Sequence, residues 1–133
     1  MPDLQYLLPA FMFSDQQKPN TMGWNTFENF KTIGTRGSEN GIIIEDLGHI
    51  EGARITIERD GNVAPFAITL GIYGLMFHTH FCGNEQEAKA YLEKKKAQIS
   101  EVLLHLQTNE LDRGKEWEEK LQQLTQDIVE DDV

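Results

Sequence analysis

The sequence predicts an α+β fold with a four-stranded antiparallel meander sheet, helices packed on one face of it, and a C-terminal amphipathic helix. Three observations support this prediction. Between residues 41 and 82, apolar and polar residues alternate with the period of a β-strand, and turn-forming residues divide that region into four runs. From residue 84 onward, apolar residues recur at helical spacing. Strands followed by helices are the pattern of an α+β domain.

The composition predicts one soluble globular domain over residues 1–133. This length is usual for one domain, and hydrophobic residues make up 39% of the chain, which is enough for a core. The formal net charge of −10 disfavours nucleic-acid binding, because affinity for phosphates comes largely from Lys and Arg. The same charge would attract a basic protein partner.

A cytoplasmic location is expected. With one cysteine the chain cannot form an internal disulfide, so nothing points to an oxidising compartment. Residues 1–13 lack the positively charged start and the cleavage site of a signal peptide. No stretch reaches the roughly 18 apolar residues of a membrane span, so we expect no membrane association.

Residues 1–33 are predicted to form an N-terminal helical segment. The apolar run at residues 4–13 is interrupted by Pro9, and it fits either a short helix on the core or a strand. It could also meet another subunit. Aromatic and apolar residues then recur every three positions, at Trp24, Phe27, Phe30 and Ile33. This spacing predicts a short helix with its aromatic side on the core.

The loop at residues 34–41 is predicted to be a plain connection. It is rich in turn formers, but it lacks the Lys and hydroxyl ending of a Walker loop and the spacing of a dinucleotide fingerprint. We therefore predict no phosphate site here and no cofactor.

Four strands are predicted within residues 41–82. The first is the β-branched run at residues 42–45, and the second, at residues 53–59, alternates between apolar and polar residues from Ala53 to Glu58. Asp60-Gly61 is a strong hairpin signal, so the third strand, at residues 64–73, folds back on the second. A turn near Tyr73-Gly74 then returns the chain into the fourth strand.

The alternation assigns a core face and a solvent face to the last two strands. The core face contains Phe66, Ile68, Leu70 and Phe77, and the opposite face contains His78, His80 and Cys82. If Tyr73-Gly74 is a two-residue loop, Thr69 faces His78 and Ala67 faces His80. The two imidazoles are then expected side by side on the face away from the core.

A main helix over residues 84–107 is predicted to cover the sheet. Asn84 followed by Glu87 resembles a capping box. An apolar stripe follows at helical spacing, formed by Ala88, Leu92, Ile99, Leu103 and Leu106. The lysines at residues 94–96 cover most of the helical circumference and are expected to form a solvated surface.

A C-terminal helix over residues 115–129 is predicted from a second amphipathic stripe. The stripe consists of Trp117, Leu121, Leu124 and Ile128. A helix of this length is marginally stable alone, so it must either double back along the main helix or pack on another chain.

His78, His80 and Cys82 are the one cluster of reactive residue types in the sequence. His-x-His on a strand is a spacing that zinc and iron sites use, because alternate side chains point the same way. Cys82 could add a third ligand, and His49 or Glu58 a fourth. The chain has neither HExxH nor paired CxxC motifs, so ordinary strand histidines that bind no metal are the alternative interpretation.

Cys82 is also a candidate nucleophile. It lies just before the N-terminus of the main helix, where the macrodipole lowers a thiol pKa, and His80 could act as its base. The alternative is an inert cysteine at the end of a strand. An acid and base pair could also come from carboxylates whose positions solvation alone would explain, at Glu45, Asp46, Glu51 and Glu58.

The function predicted from the sequence is a small acidic cytoplasmic protein-interaction or regulatory module without catalytic activity, which binds a protein partner or forms a homodimer. The residues proposed for binding are His78, His80, Cys82, Tyr73, Met76 and Thr69. One alternative is a small metal-dependent or thiol enzyme that uses His78, His80 and Cys82. Another is a small-molecule binder with a pocket between sheet and helix, lined by Tyr73, Met76 and Tyr91.

Overall fold

Five antiparallel strands form one sheet in the part of the chain that the structure describes, and each strand pairs with its neighbour in the sequence. A computed structural model describes residues 22–130, so the predicted apolar segment at residues 4–13 lies outside the described residues. The strands are β1 (Trp24–Thr26), β2 (Ile42–His49), β3 (Ala53–Arg59), β4 (Phe66–Ile72) and β5 (Met76–Cys82). Two α-helices follow, α1 (Glu85–Leu106) and α2 (Lys115–Glu130). The prediction of an α+β fold with an antiparallel sheet is confirmed, with five strands instead of four.

The additional strand, β1, lies where the sequence predicted a helix. Trp24 pairs with His49 and Thr26 with Leu47, so β1 extends the sheet beyond β2. A short 3₁₀ segment, Phe27–Phe30, follows, and three of its four residues have the positive φ angles of a left-handed turn. The helix prediction for residues 22–33 is therefore wrong. Four apolar residues at a spacing of three do not distinguish a helix from a short strand and turn when strand pairing can satisfy the backbone.

The loop between β4 and β5 contains three residues, not the predicted two. Ile72 pairs with Met76, which leaves residues 73–75 in the loop. Gly74 has a φ of 78°, a left-handed conformation that glycine adopts without steric cost, and it is the third residue of the turn closed by the hydrogen bond from the Leu75 N–H to the Ile72 carbonyl. The strand pairing is consequently shifted by one residue from the prediction.

This shift places the histidines on the covered face of the sheet. Leu70 pairs with His78 and Ile68 pairs with His80, so both imidazoles share the face of the apolar core. Phe77 lies on the opposite face and is 75% exposed. A one-residue change of register moves every side chain of a strand to its other face. The predicted faces of β5 are therefore wrong.

The covered face of the sheet packs against α1. The buried core consists chiefly of Ile55, Ile57, Ile68, Leu70 and Ile72 from the sheet and Leu92, Ile99, Val102 and Leu103 from the helix. As the sequence predicted, Asn84 caps α1, because its side-chain oxygen accepts a hydrogen bond of 2.8 Å from the backbone N–H of Glu87. The predicted apolar stripe is the face of α1 that packs on the sheet.

The prediction of a solvated lysine surface is wrong for two of the three residues. Lys95 is fully buried, and its Nζ donates a hydrogen bond to the backbone carbonyl of Ile128 in α2. Lys96 is also buried and lies 3.3 Å from the carboxylate of Glu93. The carbonyls in the last turn of a helix lack intrahelical partners, so Lys95 satisfies one of them and holds the end of α2.

The helix α2 packs back along α1. Its Ile128 is fully buried, and Leu121 and Leu124 pack against the same core. At the other end, the ring of Trp117 stacks on His105 of α1 with a centroid distance of 4.7 Å. Of the two arrangements that the sequence left open, the structure thus has the one in which α2 doubles back. Among the described residues, no helix is long and apolar enough to span a membrane.

Candidate functional site

The six residues proposed for binding from the sequence are divided between the two sides of the sheet. His78, His80 and Cys82 occupy alternate positions on the covered face of β5. Thr69 and Tyr73 line a cleft on the uncovered face, and Met76 lines a shallow groove beside α2. Met76 also lies on the covered face of β5, two residues before His78, so the structure brings four of the six residues together along one strand and separates Thr69 and Tyr73 from them. Of the three residues proposed to line a pocket between sheet and helix, Tyr73 and Met76 line different concavities, and Tyr91 stacks on His80.

The histidine pair adjoins α1. His80 stacks on Tyr91 with a centroid distance of 4.2 Å, and the Nζ of Lys95 lies 5.0 Å from the same tyrosine ring. Within residues 22–130, no group of three or more His, Cys, Asp and Glu residues could hold a metal ion. The proposed fourth ligands are occupied elsewhere, since His49 lies at the far end of β2 and Glu58 faces the uncovered side.

Cys82 is not an activated thiol in this arrangement. Burial raises the pKa of Cys82, and the nearby carboxylate of Glu87 raises it further. These effects oppose the lowering that the sequence led us to expect from the N-terminus of α1. A nucleophilic cysteine needs a depressed pKa, so the geometry gives no support to a thiol mechanism.

We expect iodoacetamide to alkylate Cys82 more slowly at neutral pH than it alkylates the same residue in urea. Because the folded thiol holds its proton to higher pH, the midpoint of its rate-against-pH curve will lie above that of the unfolded chain. Both rate-against-pH curves are measured by quenching the alkylation at set times and determining the alkylated fraction by mass spectrometry. A folded midpoint below the unfolded one would instead favour a reactive thiol.

An apolar groove of about 560 Å³ lies between α1 and the turn that joins β2 to β3. Three large apolar side chains line it although they are exposed to solvent: Ile50 at 83%, Leu104 at 68% and Met22 at 60%. Exposed Glu51 and Glu101 line the same groove. Apolar patches rimmed by polar residues are typical of interaction sites. We refer to this feature as the apolar groove.

Packing around His49 supports one wall of the apolar groove. The His49 ring meets Trp24 edge-on with a centroid distance of 4.9 Å, and its Nδ1 accepts a hydrogen bond from the backbone N–H of Glu51. Burial lowers the pKa of His49, which favours the neutral ring that this acceptor role requires. The backbone N–H of Ile50 donates to the carbonyl of Gly23, so β1 holds the turn in place.

The apolar groove was not predicted from the sequence, although two signals for it exist. Ile50 is an apolar residue in a turn otherwise made of polar residues and glycine. Leu104 follows the buried Leu103 directly, so it lies outside the core stripe of α1. Each signal alone is common in soluble proteins, and only the fold places the two side chains beside each other.

The uncovered face of the sheet consists of three rows of residues that cross β2 to β5. The middle row is Asp46, Thr56, Thr69 and Thr79. The flanking rows are Gly48, Arg54, Gly71 and Phe77, and Ile43, Glu58, Ala67 and Phe81. Small residues therefore occupy the flanking positions on β4, with charged residues on β3 and aromatic residues on β5.

A buried carboxylate organises the β2 side of this face. Asp46 accepts hydrogen bonds from Nε of Arg54 at 2.9 Å, from a terminal nitrogen of Arg54 at 2.6 Å, and from the Thr56 hydroxyl at 2.9 Å. The hydrogen bond to Asp46 raises the pKa of Arg54, whose guanidinium also lies 3.8 Å from the centre of the Phe27 ring. Solvation does not explain the position of Asp46, so that part of the sequence interpretation is wrong.

Glu58 is also buried, and it anchors the loop at residues 34–41. Its carboxylate accepts hydrogen bonds from the backbone N–H groups of Glu39 at 3.1 Å and Gly41 at 3.0 Å. The loop is thereby held over the uncovered face, and a cleft of about 520 Å³ lies between them. The loop is more than the plain connection that the sequence predicted, because it forms one wall of this cleft.

Comparisons of the chain with protein-family models, with curated proteins and with solved structures give no match. No relative therefore transfers a function to it, and its function is inferred from its own surfaces.

Proposed function

We propose that this protein is a non-catalytic interaction module that binds a protein partner through the apolar groove. The observation that carries the proposal is the exposure of Ile50, Leu104 and Met22 around one concavity. Apolar surface removed from water contributes roughly 25 cal/mol per Å², so covering these side chains favours association. The pKa of the Cys82 thiol is raised, and no group of the described residues could hold a metal ion, so neither feature supports a catalytic function.

The shape of the apolar groove favours an amphipathic helix as its occupant. Along α1, residues at helical spacing face the groove: Ala97, Ser100, Glu101 and Leu104. The distance between two packed helices is roughly 8–10 Å and depends on the size of the side chains at the contact. Because Ala97 and Ser100 are small, they allow a close approach. A partner helix can therefore lie against α1 with its apolar anchors between Leu104 and Ile50.

The charges on the groove define the partner further. Glu51 and Glu101 line it, and the whole chain carries a formal net charge of −10. A helix with Lys or Arg flanking its apolar residues complements this rim, and its association is accelerated by electrostatic attraction. Pairing with a second copy would instead bring two acidic rims together, so we propose a basic partner rather than a homodimer.

We expect Leu104→Asp to weaken partner binding at least about tenfold, because it puts a charge where an apolar anchor must be desolvated. Leu111→Asp is the matched control, since Leu111 is also exposed but lies in the connection between α1 and α2, outside the groove. A photo-crosslinking amino acid at position 104, and at position 111 as control, captures the partner in cells. Its affinity is then measured with each variant at several salt concentrations.

The proposal predicts a partner that is captured from position 104 but not from 111, and whose binding weakens as salt rises. Equal capture from both positions, or unchanged affinity for Leu104→Asp, would contradict it. Capture of this same chain from position 104 would replace the basic partner with self-association. Both aspartate variants should melt near the wild-type temperature, because both side chains are exposed.

A further inference from the structure

The cleft on the uncovered face is separate from the apolar groove. It lies between the loop wall, which includes Thr32, Arg36 and Ser38, and a floor that includes Thr69 on β4. The two concavities have no lining residue in common. A volume of about 520 Å³ lies in the range typical of small-molecule sites, roughly 300–1,000 Å³. The cleft thus has the size of a site for a second, smaller ligand.

Arg36 is the positive group that is available in this cleft. Within residues 22–130, its guanidinium donates to the backbone carbonyl of Asn40 at 2.8 Å and to the side-chain oxygen of that residue at 3.2 Å, and to no other group. Among the described residues no carboxylate pairs with it. By contrast, Arg54 is paired with Asp46. The Glu58 carboxylate, which lines the same cleft, accepts from the loop backbone and forms no ion pair with Arg36. A guanidinium with unused N–H donors is suited to a planar oxyanion.

A buried hydroxyl on the same wall lacks a partner. The Oγ1 atom of Thr32 is buried, and it makes no hydrogen bond within residues 22–130. The great majority of buried polar side-chain atoms in proteins are paired, so this hydroxyl is an exception in the wall of the cleft. Thr32 and Arg36 line the same cleft. Because this oxygen is shielded from solvent, it is not itself a contact for a ligand in the cleft.

The opposite wall of the cleft is aromatic. Tyr73 and Phe77 both line it, and both rings are exposed. Gly71 lies beneath Phe77, where an added Cβ would be 2.6 Å from Cε1 of the ring, so the ring rests directly on the strand backbone. Exposed aromatic rings supply apolar area and favour offset or edge-on contacts with a planar ligand.

We propose that this cleft binds a small aromatic carboxylate or phosphate, with the anionic group at Arg36 and the planar ring against Tyr73 and Phe77. Thr69 forms part of the floor beneath the ligand. Glu58 is a positioning residue, because its hydrogen bonds to the loop keep Arg36 above the sheet. This site is independent of the partner helix in the apolar groove.

The first test is an NMR titration of the full chain with 1-naphthoate, with uncharged 1-naphthamide and with inorganic phosphate. We expect naphthoate to shift the backbone amide signals of Gly37, Thr69 and Gly71, and to bind at least about tenfold more tightly than naphthamide. Phosphate alone should bind more weakly than naphthoate. Shifts centred on Ile50 and Leu104, or equal affinities for naphthoate and naphthamide, would overturn the proposal.

The second test uses variants. Arg36→Gln should reduce the affinity for naphthoate to that for naphthamide and leave the affinity for naphthamide unchanged. Arg59→Gln is the matched control, because Arg59 is exposed at the end of β3 and pairs with Asp60. Phe77→Ala should weaken both aromatic probes. An Arg36→Gln variant that folds and binds naphthoate like the wild type would refute the site. If that variant unfolds, Arg36→Lys replaces it in the comparison. Because lysine keeps the charge but lacks the planar guanidinium, we expect it to lose part of the affinity for naphthoate.

Discussion

Replacing Ile57 with alanine is expected to destabilise the protein by about 2–5 kcal/mol. Ile57 is fully buried on the covered face of β3, where it pairs with Ile68 beneath α1. Its removal loses the transfer free energy of three carbon atoms and leaves a cavity, because the sheet and helix around it are held by their own contacts and collapse only partly.

Urea unfolding followed by circular dichroism measures this effect as a shift in the midpoint without a change in slope. Ile50→Ala is the matched control, since it removes the same atoms from an exposed side chain, and we expect a change within about 0.5 kcal/mol. The two variants therefore separate core packing from the apolar groove, because Ile50→Ala should weaken partner binding while leaving stability near wild type. Similar stability losses for both would contradict the assignment of buried and exposed faces.

Replacing Asp46 with alanine is expected to cost about 3 kcal/mol, the lower end of the range for breaking a buried ion pair. The change leaves the guanidinium of Arg54 and the hydroxyl of Thr56 without their acceptor. The lower end applies because the side chain of Arg54 is 34% exposed and can regain water. Asp46→Asn keeps one acceptor oxygen, so it should lose less stability.

Asp60→Ala is the control for Asp46→Ala. Asp60 pairs with Arg59 at 2.7 Å, but both groups are well exposed, and such pairs contribute roughly 0–1 kcal/mol. Urea midpoints for the three aspartate variants should therefore rank Asp46→Ala lowest and Asp60→Ala nearest to wild type. If Asp46→Ala unfolded at the wild-type midpoint, the buried Asp46–Arg54–Thr56 network would not contribute to stability.

Residue patterns predicted most of the secondary structure. The β-branched run at residues 42–45 corresponds to the first half of β2, which continues to His49 where no strand was predicted, and the alternation at residues 53–59 corresponds to β3. Asn84 marks the start of α1. The second amphipathic stripe corresponds to α2, Lys115–Glu130. These features are predictable because a strand with one buried face, and a helix with one buried stripe, each require their own period of apolar residues.

The candidate sites were less predictable, because each depends on contacts between distant parts of the chain. The histidines changed face because the β4–β5 loop has one residue more than the pattern implied. The expectation of exposed lysines failed for a similar reason, since the Nζ of Lys95 is covered where α2 folds back along α1. No neighbouring residue in the sequence indicates that Ile128 will supply the acceptor for Lys95.

Local periodicity and composition were sufficient to predict the class of fold, the positions of the main strands and helices, and the acidic charge of the protein. Three further features emerged from the three-dimensional packing: the histidines share the core face, Ile50 and Leu104 line one groove, and Arg36 and Thr69 line one cleft. The register of β5 depends on the length of one loop, and the exposure of a side chain depends on what packs against it from far along the chain. Neither quantity is present in a local pattern of residues.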